Sequence, residues 1–177
     1  MFKQVLASPF NREEAYGRLL EIARKRGNSE AVAEYKKAIN EIQEQVERAY
    51  KGIGDRKVFK PDPSETEHEA TARALRFYSS RQGYPEDIET EDLVLLGRYG
   101  DAVTVYEYVL HKKVPLSERF TSPVARTLYE RIAAIYNQQA EALSKKNRPE
   151  AEVTHASAMA RYYANKSAAV RSESKTE

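Results

Sequence analysis

Three histidines are the residues of this chain whose chemistry could extend to metal binding or proton transfer. His68 lies between Glu67 and Glu69, with Glu65 three residues earlier, so a helix would put Glu65 and His68 on one face. The His-Glu-x-x-His arrangement that holds zinc would need a second His at 72, where Ala72 stands, so this stretch reads as a solvated acidic first turn. His111 precedes Lys112 and Lys113 at an expected helix C-terminus, where positive charge is favoured for structural reasons. His155 sits beside Thr154 and Ser157 and reads as a boundary residue. The chain has no Cys, which removes disulfides, thiolate nucleophiles and zinc–thiolate sites together. Gly52-Ile53-Gly54-Asp55-Arg56-Lys57 lacks the spacing and the hydroxyl of a phosphate loop, and it follows a helix instead of a strand. Asn165-Lys166-Ser167 matches a glycosylation acceptor but falls inside an expected helix. With no nucleophile–base pair and no converging acids, the expectation is a non-enzymatic protein with no catalytic residues, cofactor, metal or small-molecule substrate.

Basic residues recur in groups. Arg24, Lys25 and Arg26 form one, Lys51, Arg56, Lys57 and Lys60 a second, and Lys145, Lys146 and Arg148 a third. Each falls near a helix end, where solvated cations are expected anyway. Brought to one surface with Tyr50 and Phe59, the first two groups would make phosphate contacts without sequence specificity, so non-specific DNA is a candidate partner.

The elements that would position these residues are helices. From Ser29 to Ile53 the apolar residues Val32, Tyr35, Ile39, Ile42, Val46, Ala49 and Ile53 are spaced alternately three and four apart, the seam of a helix packing lengthwise on others. Glu34, Glu41, Glu44 and Glu47 face away from that seam with Lys36, Lys37 and Arg48. Asn11 with Glu14 suggests a capping box for a preceding helix over about 12–26, with Ala15, Tyr16, Leu19, Leu20, Ile22 and Ala23 as its apolar side. Gly27 ends it and Ser29 caps the long helix, giving an αα-hairpin.

Gly52, Gly54, Pro61 and Pro63 impose an extended crossover over 52–63, anchored by Val58 and Phe59. Ser64 with Glu67 then suggests a capping box for a helix carrying Ala70, Ala74, Leu75, Phe77 and Tyr78. Thr90 is a suitable N-cap before Glu91-Asp92-Leu93. A helix over 102–113 follows, with Val103, Tyr106, Val109 and Leu110 on one side. Ser122-Pro123 opens a long helix to about Lys146, with Ala125, Leu128, Ile132, Ile135 and Ala142 at heptad spacing beside Tyr129 and Tyr136. After Asn147-Arg148-Pro149 the last helix, about 149–170, repeats the heptad as Val153, Ala156, Ala160, Tyr163, Ser167 and Val170. Its many alanines allow a partner helix to approach closely. The expected fold is all-α, a bundle of about six or seven helices built from αα-hairpins. It comprises an apolar N-terminal arm (1–10), one domain (11–170) and a polar, disordered tail (171–177).

The arm presents Phe2, Val5, Leu6 and Phe10 with one charge, Lys3, and must dock on its own core or on a neighbour. It lacks the charged start and apolar stretch of a signal peptide. The chain has no run of about 18 apolar residues, so a membrane span is not expected and a cytoplasmic location is, or a virion if the protein is viral. The net charge of +2 conceals a division. Residues 1–61 carry 13 Lys and Arg against 9 Asp and Glu, residues 62–92 carry 3 against 9, and residues 93–177 carry 13 against 9. An acidic middle between basic flanks can be satisfied within one molecule or between copies meeting head to tail. The absence of Cys, 32% charged residues and only two Met match a pattern found in hyperthermophile proteins.

Two resemblances bear on function. Gly97-x-Tyr99-x-x-Ala102-x-x-x-Tyr106-x-x-Val109-Leu110 resembles the second half of a tetratricopeptide repeat, and Ala31-x-x-x-Tyr35-x-x-Ala38-Ile39 resembles its later part. The first-helix half is missing, since Glu86, Glu89 and Thr90 stand at its apolar and small positions. That resemblance implies a helical-repeat module binding a partner protein in a groove near Tyr99 and Tyr106. As a whole, a Cys-free, Tyr-rich helical chain with an apolar arm and a polar tail is similar in type to capsid proteins of viruses infecting hyperthermophilic archaea. This second resemblance implies a self-assembling homo-oligomer of many copies packed around nucleic acid, with termini clasping neighbours, and it assigns no residue; the candidate interface residues are Phe2, Val5, Leu6 and Phe10 of the arm and, for the repeat-like module, Tyr99 and Tyr106.

Overall fold

The computed structural model describes residues 9–56, 58–60, 62–81 and 83–173. Seven α-helices follow one another there with no strand among the described residues: α1 (Pro9–Lys25), α2 (Ser29–Gly52), α3 (Glu67–Ser79), α4 (Pro85–Leu95), α5 (Tyr99–Lys113), α6 (Pro123–Lys145) and α7 (Glu150–Glu173). A short 3-10 turn, Leu116–Glu118, joins α5 to α6. The pairs α1–α2, α4–α5 and α6–α7 are hairpins, and α5 additionally packs on α2 and α6. The all-α, hairpin-built fold expected from the periodicities is the fold observed.

The core forms where the apolar stripes of α2, α5, α6 and α7 meet. Leu93, Val105, Leu110, Ile132 and Tyr163 are sealed from solvent, with Val46 and Ile53 closing the α2 side and Met159 and Val170 the α7 side. Six of the seven seam residues of α2 are buried or half-buried, while Ala49 is exposed. Ser122 accepts a hydrogen bond from the Val124 amide (3.2 Å) and Pro123 opens α6, as the sequence indicated.

Several boundaries depart from expectation because a better local partner exists. Asn28, not Ser29, caps α2, its Oδ1 accepting from the Ala31 amide. Thr66 and Glu69 make the capping box of α3, with the Thr66 amide donating to Glu69 Oε2 at 2.9 Å and the Glu69 amide to Thr66 Oγ1 at 3.4 Å. Ser64 instead closes a turn on Asp62. α4 starts at Pro85, where proline's fixed φ suits the first helical position. Thr90 is therefore interior and buried, its hydroxyl donating to the Glu86 and Asp87 carbonyls. α4 and α5 are separated by a turn in which Gly97, at φ +73, lets the Gly97 and Arg98 amides reach back to the Val94 and Leu93 carbonyls. α5 starts at Tyr99, three residues before the expected 102. α7 runs on to Glu173, so the expected tail 171–177 begins as helix, and residues 174–177 lie outside the described residues.

The largest departure concerns α1, which begins at Pro9 without the cap expected at Asn11. Asn11 and Glu14 face inward, and so does Glu13 at 0% exposure, whereas Leu19 and Ile22 of the expected core face are 41% and 45% exposed. Ala23 alone of that expected face is fully buried. α1 is thus seated by polar contacts and turns much of its apolar side outward. α3 also differs: Leu75 and Phe77 are exposed, and the helix packs on no other helix to a comparable extent among the described residues.

Candidate interaction groove

Six of the nine acids of the segment 62–92 are paired with cations of the same molecule. Lys113 pairs with Glu86, Arg131 with Asp87, Arg56 with Glu89, and Arg81 with both Asp92 and Glu91; Arg73 holds Glu65 at 2.7 Å. Five of these six acids sit on α4, and the cations come from four separate stretches of chain. The Lys113 ammonium draws the Glu86 carboxyl below its ordinary range, against the effect of partial burial.

Clamped this way, α4 stands beside α6 without packing closely on it, and a groove of about 380 Å³ opens between them. Val94 and Leu95 form one wall, Ala134 and Ile135 the other, and Tyr106 of α5 lies at the floor. The Tyr106 hydroxyl donates to Asp87 Oδ1 at 2.9 Å. Burial, with Asp87 beside it, pushes this phenol up to about 12, so it stays protonated at any ordinary pH. Arg131 reaches over the same ring and pairs with the same carboxylate. Thr90, Glu91 and Gln138 place polar groups around the groove. Leu95 is 71% exposed at the lip, and Leu96 next to it is exposed as well. A concave, mostly apolar surface with a few polar groups around it is the kind of surface that holds an apolar ligand or side chain.

The predicted interface residues are distributed unevenly over this geometry. Tyr106 lines the groove, and Tyr99 is half-buried against the core behind it. Phe2, Val5 and Leu6 lie outside the described residues; Phe10 lies in the first turn of α1, and its side chain is outside them.

The predicted nucleic-acid residues are not brought together. Arg24, Lys25 and Arg26 are exposed at the end of α1, beside the start of α2, while Lys51 is at the far end of α2, about 35 Å away for a helix of that length. Arg56 is engaged: it pairs with Glu89, donates to the Tyr50 carbonyl at 2.6 Å and lies 4.3 Å over the Tyr50 ring. The other face of Tyr50 is stacked on Tyr108 at 3.9 Å, so no base could stack there. Lys60 is exposed, and Lys57 lies outside the described residues.

Two buried clusters escaped the sequence reading. Arg119, 1% exposed, donates to Glu13 Oε2 at 2.8 Å, and Gln43 donates to Glu13 Oε1 at 2.8 Å. His111 lies in the last turn of α5, as expected, and its Nδ1, itself buried, lies 3.8 Å from Glu13 Oε1, beyond hydrogen-bond reach. Burial opposes ionisation of Glu13, but the neighbouring His111 ring, the Arg119 charge and the Gln43 amide outweigh it and hold its carboxyl below the ordinary range. Beside it Glu14 pairs with Lys166 at 2.7 Å and accepts from the Tyr129 hydroxyl at 3.1 Å. Burial pushes the Lys166 ammonium down despite Glu14. No periodic signal marks a helix whose inner face is charged; the adjacent Glu13-Glu14 pair, one turn into the helix, is the only trace in the sequence. His68 and His155 are exposed, and no cluster of three or more metal-ligating side chains occurs among the described residues. No helix among them is long and apolar enough to cross a membrane.

No protein-family model, curated protein or solved structure matches the chain at a significant level. What the fold defines is an all-α stack of hairpins with a groove between α4 and α6.

Proposed function

We propose that this chain is a non-enzymatic structural protein that assembles with copies of itself through the groove between α4 and α6, a role of the kind filled by a virion capsid subunit. The observation that carries the reading is the groove itself, a mostly apolar cleft with Leu95 71% exposed at its lip. Contiguous apolar surface of this kind is costly to leave in water and marks a protein-contact site. Charge complementarity between copies is secondary, because all five acids of α4 already share cations of the same molecule.

A second reading, a module that binds a different protein, is favoured by one feature: Tyr106 of the repeat-like stretch lies at the groove floor, between hairpins stacked in sequence order. Light scattering over a concentration series separates the two. Self-assembly gives a mass that exceeds 20.2 kDa and grows with concentration; a constant 20.2 kDa overturns that reading and favours the module.

A further inference from the structure

The groove has one wall on α6, and α1 is tied near its start to α7 and to another face of α6. Asn11 accepts from the Tyr162 hydroxyl at 2.5 Å, and Glu14 accepts from the Tyr129 hydroxyl of α6. With 3.6 residues per turn, the groove residues Arg131, Ala134 and Gln138 lie about 140–200° around α6 from Tyr129. α1 is therefore held, near its start, on α7 and on a face of α6 other than the one lining the groove, and residues 1–8 precede it in the chain. Those residues carry Phe2, Val5 and Leu6 and a single charge, Lys3. α4 carries five carboxylates, Glu86, Asp87, Glu89, Glu91 and Asp92, which share four cations, and Glu91 is exposed at the groove. A short apolar segment with one cation matches an apolar groove with one surplus anion.

We infer that the occupant of the groove is the N-terminal segment of a second copy of this chain, with Phe2, Val5 and Leu6 entering between α4 and α6 and Lys3 beside Glu91. The inference rests on the self-assembly reading and names its contact. An interface made of an arm on one side and a groove on the other is heterologous, so each copy gives one arm and receives one, and the assembly closes into a ring or extends as a filament.

Three proteins test it: the full chain, a chain lacking residues 1–8, and the full chain with Leu95→Lys. Leu95 is an exposed position, so the variant should keep its helices, which circular dichroism checks. The full chain should assemble and each variant should be a 20.2 kDa monomer. Mixed in equal amounts, the two variants should form a dimer of about twice that mass and grow no further, because the mixture contains one intact arm and one intact groove per pair. A fluorescent peptide of residues 1–8 should bind the arm-deleted chain, and bind at least about tenfold more weakly once Leu95→Lys is added. Assembly that survives arm deletion overturns the arm while leaving self-assembly standing. Peptide binding that ignores Leu95→Lys overturns the groove as the receptor. A full chain that stays monomeric, with its arm docked on its own body or elsewhere, overturns both.

Discussion

Glu13 and Arg119 form an ion pair with both partners out of water, which fixes how the pair should respond to change. Two charges in a low-dielectric interior stabilise little relative to an apolar pair of the same volume, but removing one leaves the other buried and uncompensated. Glu13→Gln should therefore lower unfolding stability by about 3–5 kcal/mol, while Glu13→Leu with Arg119→Met should recover most of that loss, read from urea denaturation. The pH dependence follows from the direction of the shift. The folded-state carboxyl is held below its unfolded value of 4.5, so its contribution is fully present above that value and fades as pH falls through the folded one. Acid titration of the full chain from about pH 6 to pH 2 should show a loss of stability below pH 4.5 that is reduced in Glu13→Gln. A stability curve of identical shape in the two proteins would remove Glu13 as the source.

At the scale of elements, α3 and the α6–α7 hairpin stand at opposite extremes. α6 and α7 pack on each other more extensively than any other pair, with Tyr129, Tyr136 and Tyr162 gathered around Tyr163. α3 is held mainly by the Thr66–Glu69 capping box, by Arg73 bridging Glu65 and the Phe59 ring, and by Phe77 against Phe59. Local stability follows buried contact, so amide exchange should be fast throughout α3 and slow in α6 and α7. Thr66→Ala, by removing the cap, should cost about 1 kcal/mol within α3 and leave the cooperative melting temperature nearly unchanged. A clear drop in that temperature would show α3 to be part of the core unit. Such a loosely held helix, with Leu75 and Phe77 exposed, was unmarked in the sequence, because an amphipathic stripe looks the same whether or not a partner stands opposite it.

For the whole molecule, the location of charge pairing decides what drives assembly. Most acids of the acidic segment are paired inside one copy, so contacts between copies depend mainly on apolar burial. Raising salt from about 50 to 500 mM, which shortens the screening length several-fold, should leave the assembled mass essentially unchanged. Dissociation at high salt would instead restore the head-to-tail electrostatic mechanism that the charge division alone suggested.

What the amino-acid sequence by itself determined is the set of helices and the seam of the long ones. Spacings of three and four, Ser122-Pro123 and Gly27 act within a few residues of chain, so Ile39, Ile42 and Val46 of α2, and Leu128 and Ile132 of α6, were legible as core. Boundaries slipped where two capping residues competed within a turn, as at Asn28 and Ser29 or at Ser64 and Thr66. Which face of α1 turns inward was decided only in the tertiary structure. Arg119, 106 residues away from Glu13, and Lys166, 152 residues away from Glu14, outbid Leu19 and Ile22 for the interior. The groove arose in the same way, since Val94, Leu95, Ala134 and Ile135 meet across a gap set by how α4 is clamped from four directions. Local periodicity records what a helix could bury, and only the packing of distant segments determines what it does bury.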